Sequence, residues 1–191
     1  DETTIKTRAV CIAMLNYGAE VQDYFNYNDA KESYLANSEL TAEQKKLPTF
    51  AELGLSGNTV MPEGDLKPTS AALNAKERIC VQFPVKNKDM SGYEARYTID
   101  GVEQTPIPAS DFETIKSGTS TYCGPSIALT PRQMRSEIRI AFYDVETGEK
   151  VYGDIICSVE ALAKDRAGKN TEKLTIAMMV YGVAAEARFG K

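Results

Sequence analysis

The chain opens and closes on two versions of one helical segment. Residues 12–25 read IAMLNYGAEVQDYF and residues 176–189 read IAMMVYGVAAEARF, with six of fourteen positions identical at an offset of 164. Apolar residues recur three and four apart in both, the pattern of a helix with one buried face. The first helix is expected over residues 3–27, burying Val10, Met14, Tyr17, Val21 and Tyr24/Phe25, with Cys11, Leu15 and Gly18 widening the stripe. Lys6, Glu20 and Asp23 fall toward water. The last helix, about 171–189, repeats the stripe as Leu174, Met178, Tyr181, Ala185 and Phe189. Two equivalent rods from opposite chain ends imply a helical pair that packs together or against one face.

Gly18 and Gly182 occupy matching mid-helix positions, each directly after a tyrosine, Tyr17 and Tyr181. An interior helical glycine costs about 1 kcal/mol relative to alanine. Its presence twice at the same place points to close packing against a spot with no room for Cβ.

Between the rods the period changes. Thr41-Ala42-Glu43-Gln44 is a capping box that starts a short helix, and Pro48 stops it. Residues 49–68, rich in glycine and proline, read as an irregular connection. From 69 to 157 apolar residues alternate with polar ones. Strands are expected at Ser70–Asn74, Ile79–Phe83, Tyr93–Ile99, Val102–Ile107, Thr121–Leu129, Ile138–Tyr143 and Lys150–Cys157. Asp100-Gly101 marks a two-residue hairpin, and Glu146-Thr147-Gly148 a second turn. A short helix near Val159–Arg166 and a break at Gly168–Asn170 precede the last rod. The expected fold is therefore α+β: an immunoglobulin-like antiparallel sandwich of about seven strands, flanked by the terminal helices as an equivalent pair. Residues 1–191 form one module, with a helical part over 1–48, the connection over 49–68, the sandwich over 69–157 and a helical part over 158–191.

Composition narrows the chemistry. At 42% hydrophobic and mean hydropathy -0.33 the 191 residues suit a soluble domain, and no apolar run suggests membrane insertion. The start, DETTIKTR, carries no secretion segment and enters a helix almost at once, the expectation for a piece excised from a longer protein. Net charge is -5. The nearest approach to a basic cluster, Arg132, Arg135 and Arg139, is too sparse for nucleic-acid binding. Histidine is absent, which removes the usual general base, the Ser-His and Cys-His nucleophile pairs and the commonest zinc ligand. Cys11, Cys80, Cys123 and Cys157 show no C-x-x-C spacing. Cys80 alternates with Ile79 and Val81 and is expected to face away from the core. Cys123 is expected to face inward and Cys11 to be a small buried hydrophobe, leaving mostly free thiols. No metal site and no cofactor are expected.

The remaining candidates each have a structural reading. Asp111 with Glu113, or Glu103 with Asp111, could be imagined as a glycosidase pair, but nothing local fixes their separation. Thr119-Ser120-Thr121 and Ser70 lack a neighbour that would activate a nucleophile. Asn26-Tyr27-Asn28-Asp29 is oxygen-rich yet lacks calcium-loop spacing, and a helix-ending turn with Asn in the left-handed region fits it better. Tyrosine is the abundant aromatic, ten copies against six Phe and no Trp. Tyr24, Tyr27 and Tyr34 cluster at the first helix and its exit. Tyr24 falls on the core stripe and the others have local packing open to them; if exposed, the three are the best candidate contact surface.

LNYGAEVQDYFNYN at 15–28 and LANSELTAEQKKLP at 35–48 resemble the "LLNYGAAAQ-YF-YN" stretch of an uncharacterised module in large secreted surface proteins of Gram-positive gut anaerobes. In that family a β-sandwich follows and a returning helix closes it; here that helix reads VYGVAAEARFG, with Arg188 where an aromatic is common. The resemblance implies an extracellular location, at the bacterial surface or secreted, beside other domains of one large protein. It assigns no chemistry to any residue. Some bacterial surface proteins of similar build bind host immunoglobulin in a superantigen-like way, which suggests host immunoglobulin or another host surface protein as the partner. The expected function is a non-catalytic binding module. A spacer without a ligand and a glycan-binding accessory module are the alternatives.

Overall fold

The structure is a computed structural model that describes residues 1–27, 34–64, 66, 68–75, 78–86, 88–117 and 119–190, with the backbone alone for 115–117. Among these residues it holds four α-helices and eleven antiparallel strands in three sheets.

Helix α1 runs Glu2–Tyr24, started by Asp1, whose carboxylate accepts the Thr4 amide at 2.9 Å. It ends three residues before the sequence suggests, because Asn26 takes the left-handed region at φ 53°. Asn28 and Asp29 lie outside the described residues. Helix α2, Ala42–Lys45, has the expected capping box: Gln44 N donates to Thr41 Oγ1, and Thr41 N donates to the Gln44 side chain. Helix α3 is Val159–Ala163, continued by a 3-10 turn over Lys164–Arg166, and α4 is Glu172–Phe189.

The strands are β1 (Ala72–Asn74), β2 (Cys80–Gln82), β3 (Val85–Lys86), β4 (Tyr93–Ile99), β5 (Val102–Glu103), β6 (Ile107–Pro108), β7 (Glu113–Ser117), β8 (Ser120–Gly124), β9 (Ser126–Ala128), β10 (Ile138–Asp144) and β11 (Lys150–Cys157). One sheet has the order β11-β10-β4-β5, with β6 also on β4; the others are β1-β2-β9 and β3-β8-β7. Seven expected strands become eleven for identifiable reasons. Pro84 separates β2 from β3 and Pro125 separates β8 from β9, since proline cannot donate to a ladder. Residues 102–107 contribute two short pieces, and β7, whose sequence does not alternate clearly, escapes the pattern. The Asp100-Gly101 hairpin forms with both residues at positive φ, 49° and 78°, as a type I′ turn requires. Gly148, at φ 71°, closes the β10–β11 turn.

One apolar cluster joins the sheets. Val81, Phe83 and Ile127 meet Ile140, Phe142 and Ile155, all essentially without solvent contact, and Phe112 sets its ring edge-on to Phe142 at 6.3 Å. Val159 of α3 and Met178 and Met179 of α4 join the same cluster, so the helices are part of the core.

The terminal helices pair antiparallel. Arg188 Nε donates to Thr7 Oγ1 at 2.7 Å, Tyr17 stacks on Tyr181, and Lys173 binds Glu20 at 2.8 Å. The buried stripes differ from those expected. In α1 the buried residues are Val10, Ala13, Asn16, Ala19 and Glu20, whereas Met14, Cys11 and Tyr24 are exposed. The face turns because α1 is covered twice, by α4 and by the chain after it. Asn16 Nδ2 donates to the Gln44 carbonyl at 2.8 Å and its Oδ1 accepts from Asn37 Nδ2 at 2.8 Å. Glu20 is therefore buried against Lys173 instead of facing water. In α4 residues Leu174–Met179 are buried all round, and the expected Phe189 is exposed.

The cysteines are all unbridged. Cys80 is 2% exposed and neighbouring Val81 0%, so both faces of β2 are covered and Cys80 does not face away into solvent. Cys123 is half-buried against the core and Cys11 lies on the surface.

Candidate functional site

Gly18 and Gly182 perform the same task in different surroundings. A Cβ on Gly18 would lie 3.1 Å from Ala36 Cβ, so the missing methyl lets the segment around Ala36 lie flat on α1. Gln22 fastens that segment, donating to the Tyr34 carbonyl at 2.9 Å and accepting from Ala36 N at 2.6 Å. A Cβ on Gly182 would meet Met134 Sδ at 2.5 Å and the Pro131 carbonyl at 3.1 Å. Between the glycines, the Tyr17 hydroxyl donates to the Ala75 carbonyl at 3.3 Å, and burial, with Tyr181 beside it, pushes its pKa up to about 12.

The same docking leaves the end of α1 aromatic and open. Tyr24 meets Phe25 edge-on at 4.9 Å, and Phe25 stacks on Tyr27 at 5.9 Å. Tyr24 is 39% exposed, Tyr27 38% and Tyr34, held at Gln22, 61%. The core position expected for Tyr24 is thus overturned: at the end of α1 it stands exposed. All three tyrosines fall on one end of the helix pair.

Beside this cluster lies a cavity of about 390 Å³. Tyr24 and Phe25 form one wall, Leu73, Leu174 and Met178 supply apolar surface, and Asn74, Gln82, Arg166 and Thr171 supply polar groups. Arg166 is the sole ionic side chain among the described residues lining it, and its guanidinium has no carboxylate partner among them. The Thr171 hydroxyl is the one buried side-chain oxygen or nitrogen without a hydrogen-bond partner among the described residues. An unpaired buried hydroxyl normally marks a place for water or a ligand.

The opposite end of the pair has a second cavity, where the Thr130 hydroxyl is already bonded to Gln133. This cavity, of about 320 Å³, is bounded by Val10, Tyr181, Ala185 and Phe189 on the helices and by Thr130, Pro131 and Arg132. Phe25 and Phe189 are equivalent under the 164-residue offset, as are Leu174 and Val10. The two cavities are therefore mates under the local two-fold relation of the helices.

The other candidates serve structure. Glu113 is held by Arg78 and by Gln82 Nε2 at 2.6 Å, and Asp111 accepts the Ser110 hydroxyl at 3.1 Å. Arg135 pairs with buried Glu160 at 3.4 Å, and Arg139 contacts Glu137 and Asp154. Among the described residues no group of three or more Asp, Glu and Cys is placed to hold a metal ion, and no helix is long and apolar enough to cross a membrane.

Sequence reasoning found the three tyrosines but missed Arg166, Thr171 and the cavity. Its walls come from positions 24–25, 73–82 and 166–178, and no local pattern joins such distant segments. No protein-family model, curated protein or solved structure matches the chain.

Proposed function

We propose that the chain is a non-catalytic binding module of a bacterial surface protein, displayed extracellularly, with the aromatic end of the helix pair as its contact surface. The carrying observation is the exposure, among the described residues, of Tyr24 and Tyr27 against Phe25 and of Tyr34 held at Gln22. Tyrosine offers large apolar area and a hydroxyl at small entropic cost, which is why it recurs at the centre of protein interfaces. We further infer that the three sheets pack as an immunoglobulin-like sandwich, supported by the single apolar cluster they share. Location and partner rest on the resemblance of the α1 region to surface-protein modules, and the most concrete partner is a host immunoglobulin.

Surface plasmon resonance over immobilised human immunoglobulin tests this. Binding by the chain, weakened at least about tenfold by the triple change Tyr24→Ser, Tyr27→Ser and Tyr34→Ser, is the expected result. Equal binding by both proteins moves the contact elsewhere. No binding to immunoglobulin or to other serum proteins favours a spacer, a reading that has the adjacent chain ends at Thr7 and Arg188 in its support.

A further inference from the structure

We propose that the cavity beside Tyr24 and Phe25 receives the carboxylate of an Asp or Glu side chain from an acidic segment of the partner protein. This deepens the binding-module reading and rests on it. Three observations converge. Arg166 brings one positive charge to the cavity and has no carboxylate among the described residues to neutralise it, in a chain whose net charge is -5. The neighbouring Glu172 accepts the Gly168 amide and forms no ion pair with Arg166. Thr171 lines the same cavity, and its hydroxyl, buried just behind that wall, has no hydrogen-bond partner among the described residues.

The rest of the cavity selects the kind of acid. At about 390 Å³ it accommodates one or two side chains. A single guanidinium matches a single carboxylate as a two-pronged hydrogen-bonded pair. Leu73, Leu174 and Met178 offer apolar contact to the methylenes and neighbouring apolar groups of a peptide. An acidic sugar placed there would lose water from several hydroxyls against these apolar side chains and find few replacement partners, since Gln82 already donates to Glu113. The mate cavity at the other end also has an arginine and a threonine, Arg132 and Thr130, but there the threonine hydroxyl is bonded to Gln133, so among the described residues the orphan hydroxyl belongs to one end only.

The test is a methyl and amide NMR titration of the intact chain with the peptide acetyl-Leu-Glu-Tyr-amide and its neutral twin acetyl-Leu-Gln-Tyr-amide, following the Met178 methyl and the Arg166 Nε–H. The acidic peptide is expected to shift both signals saturably and to bind about tenfold tighter than the neutral one. Arg166→Gln, on an exposed 3-10 turn, is expected to erase that preference while leaving the remaining spectrum in place. Thr171→Val is expected to weaken the acidic peptide alone. Equal binding of the two peptides, an unchanged preference in R166Q, or no response at Met178 to either peptide overturns the assignment. Saturation by 3′-sialyllactose in place of the peptide overturns it in favour of an acidic glycan. Immunoglobulin binding that needs the three tyrosines but ignores Arg166 rejects this inference and keeps the broader reading.

Discussion

Tyr17 and Tyr181 stack on each other, ring centroids 5.9 Å apart and planes 25° from parallel. They are the same position of the repeated segment, so each terminal helix contacts the other through its own equivalent residue. That is the self-complementary contact of a two-fold interface, realised here within one chain.

The Tyr17 hydroxyl gives the pair a dependence on alkaline pH. Its folded-state pKa lies above the ordinary tyrosine value of about 10 because burial disfavours the phenolate. The neutral hydroxyl therefore stabilises the fold below pH about 10, and the contribution is lost as pH rises toward about 12. Tyr17→Phe keeps the stack, and its stability should fall less steeply across that window. Thermal melts of both proteins at a series of alkaline pH values check this.

The two glycines should respond differently to the same substitution. Gly182→Ala drives a methyl into Met134 Sδ and the Pro131 carbonyl, and should lose roughly 1–3 kcal/mol by overpacking. Gly18→Ala meets only Ala36 Cβ at 3.1 Å. The helix-propensity gain of about 1 kcal/mol should nearly offset that squeeze. Urea denaturation of both variants separates them, and equal losses would contradict the geometry.

Asp100 ties the β4–β5 hairpin to the chain before β10. Its carboxylate accepts the Ser136 hydroxyl at 2.7 Å and the Glu137 amide at 2.9 Å while its backbone sits at φ 49°. Asp100→Ala should cost about 1–3 kcal/mol, because Ser136 is buried and loses its acceptor. Asp100→Asn, which keeps an acceptor and tolerates the left-handed region, should lose less in the same denaturation measurement.

Thiol reactivity should follow burial. Cys11 should react with an aromatic disulfide reagent in the folded protein, and Cys80 and Cys157 only as it unfolds. Burial also pushes the Cys157 pKa up to about 12, leaving almost no thiolate near neutrality. Time-resolved labelling read by peptide mass spectrometry distinguishes the sites.

Features encoded by neighbouring residues were legible in the sequence: the capping box at Thr41, the Asp100-Gly101 turn, the long strands β4, β10 and β11, and the two Tyr-Gly steps. Failures arose where a distant segment decided the outcome. The buried face of α1 was misread because Asn16 and Gln22 bind the chain at 34–44, which periodicity within the helix cannot register. Cys80 was misplaced because alternation separates core from solvent only when one face is open, and β2 is covered on both. Tyr24 follows buried Glu20 by four residues, as a core position would, yet it is exposed because it walls an open cavity at the helix end. The cavity with Arg166 had no local signal at all.

Pulling on the two ends of this chain would load it in a particular way. Because Thr7 and Arg188 touch, opposed forces enter at the same edge and peel the outer helices apart one layer at a time, starting there and next meeting the Tyr17–Tyr181 stack. Resistance then comes from single contacts in succession, not from many in parallel, so the helices should yield at low tension while the strands behind them carry almost none of it.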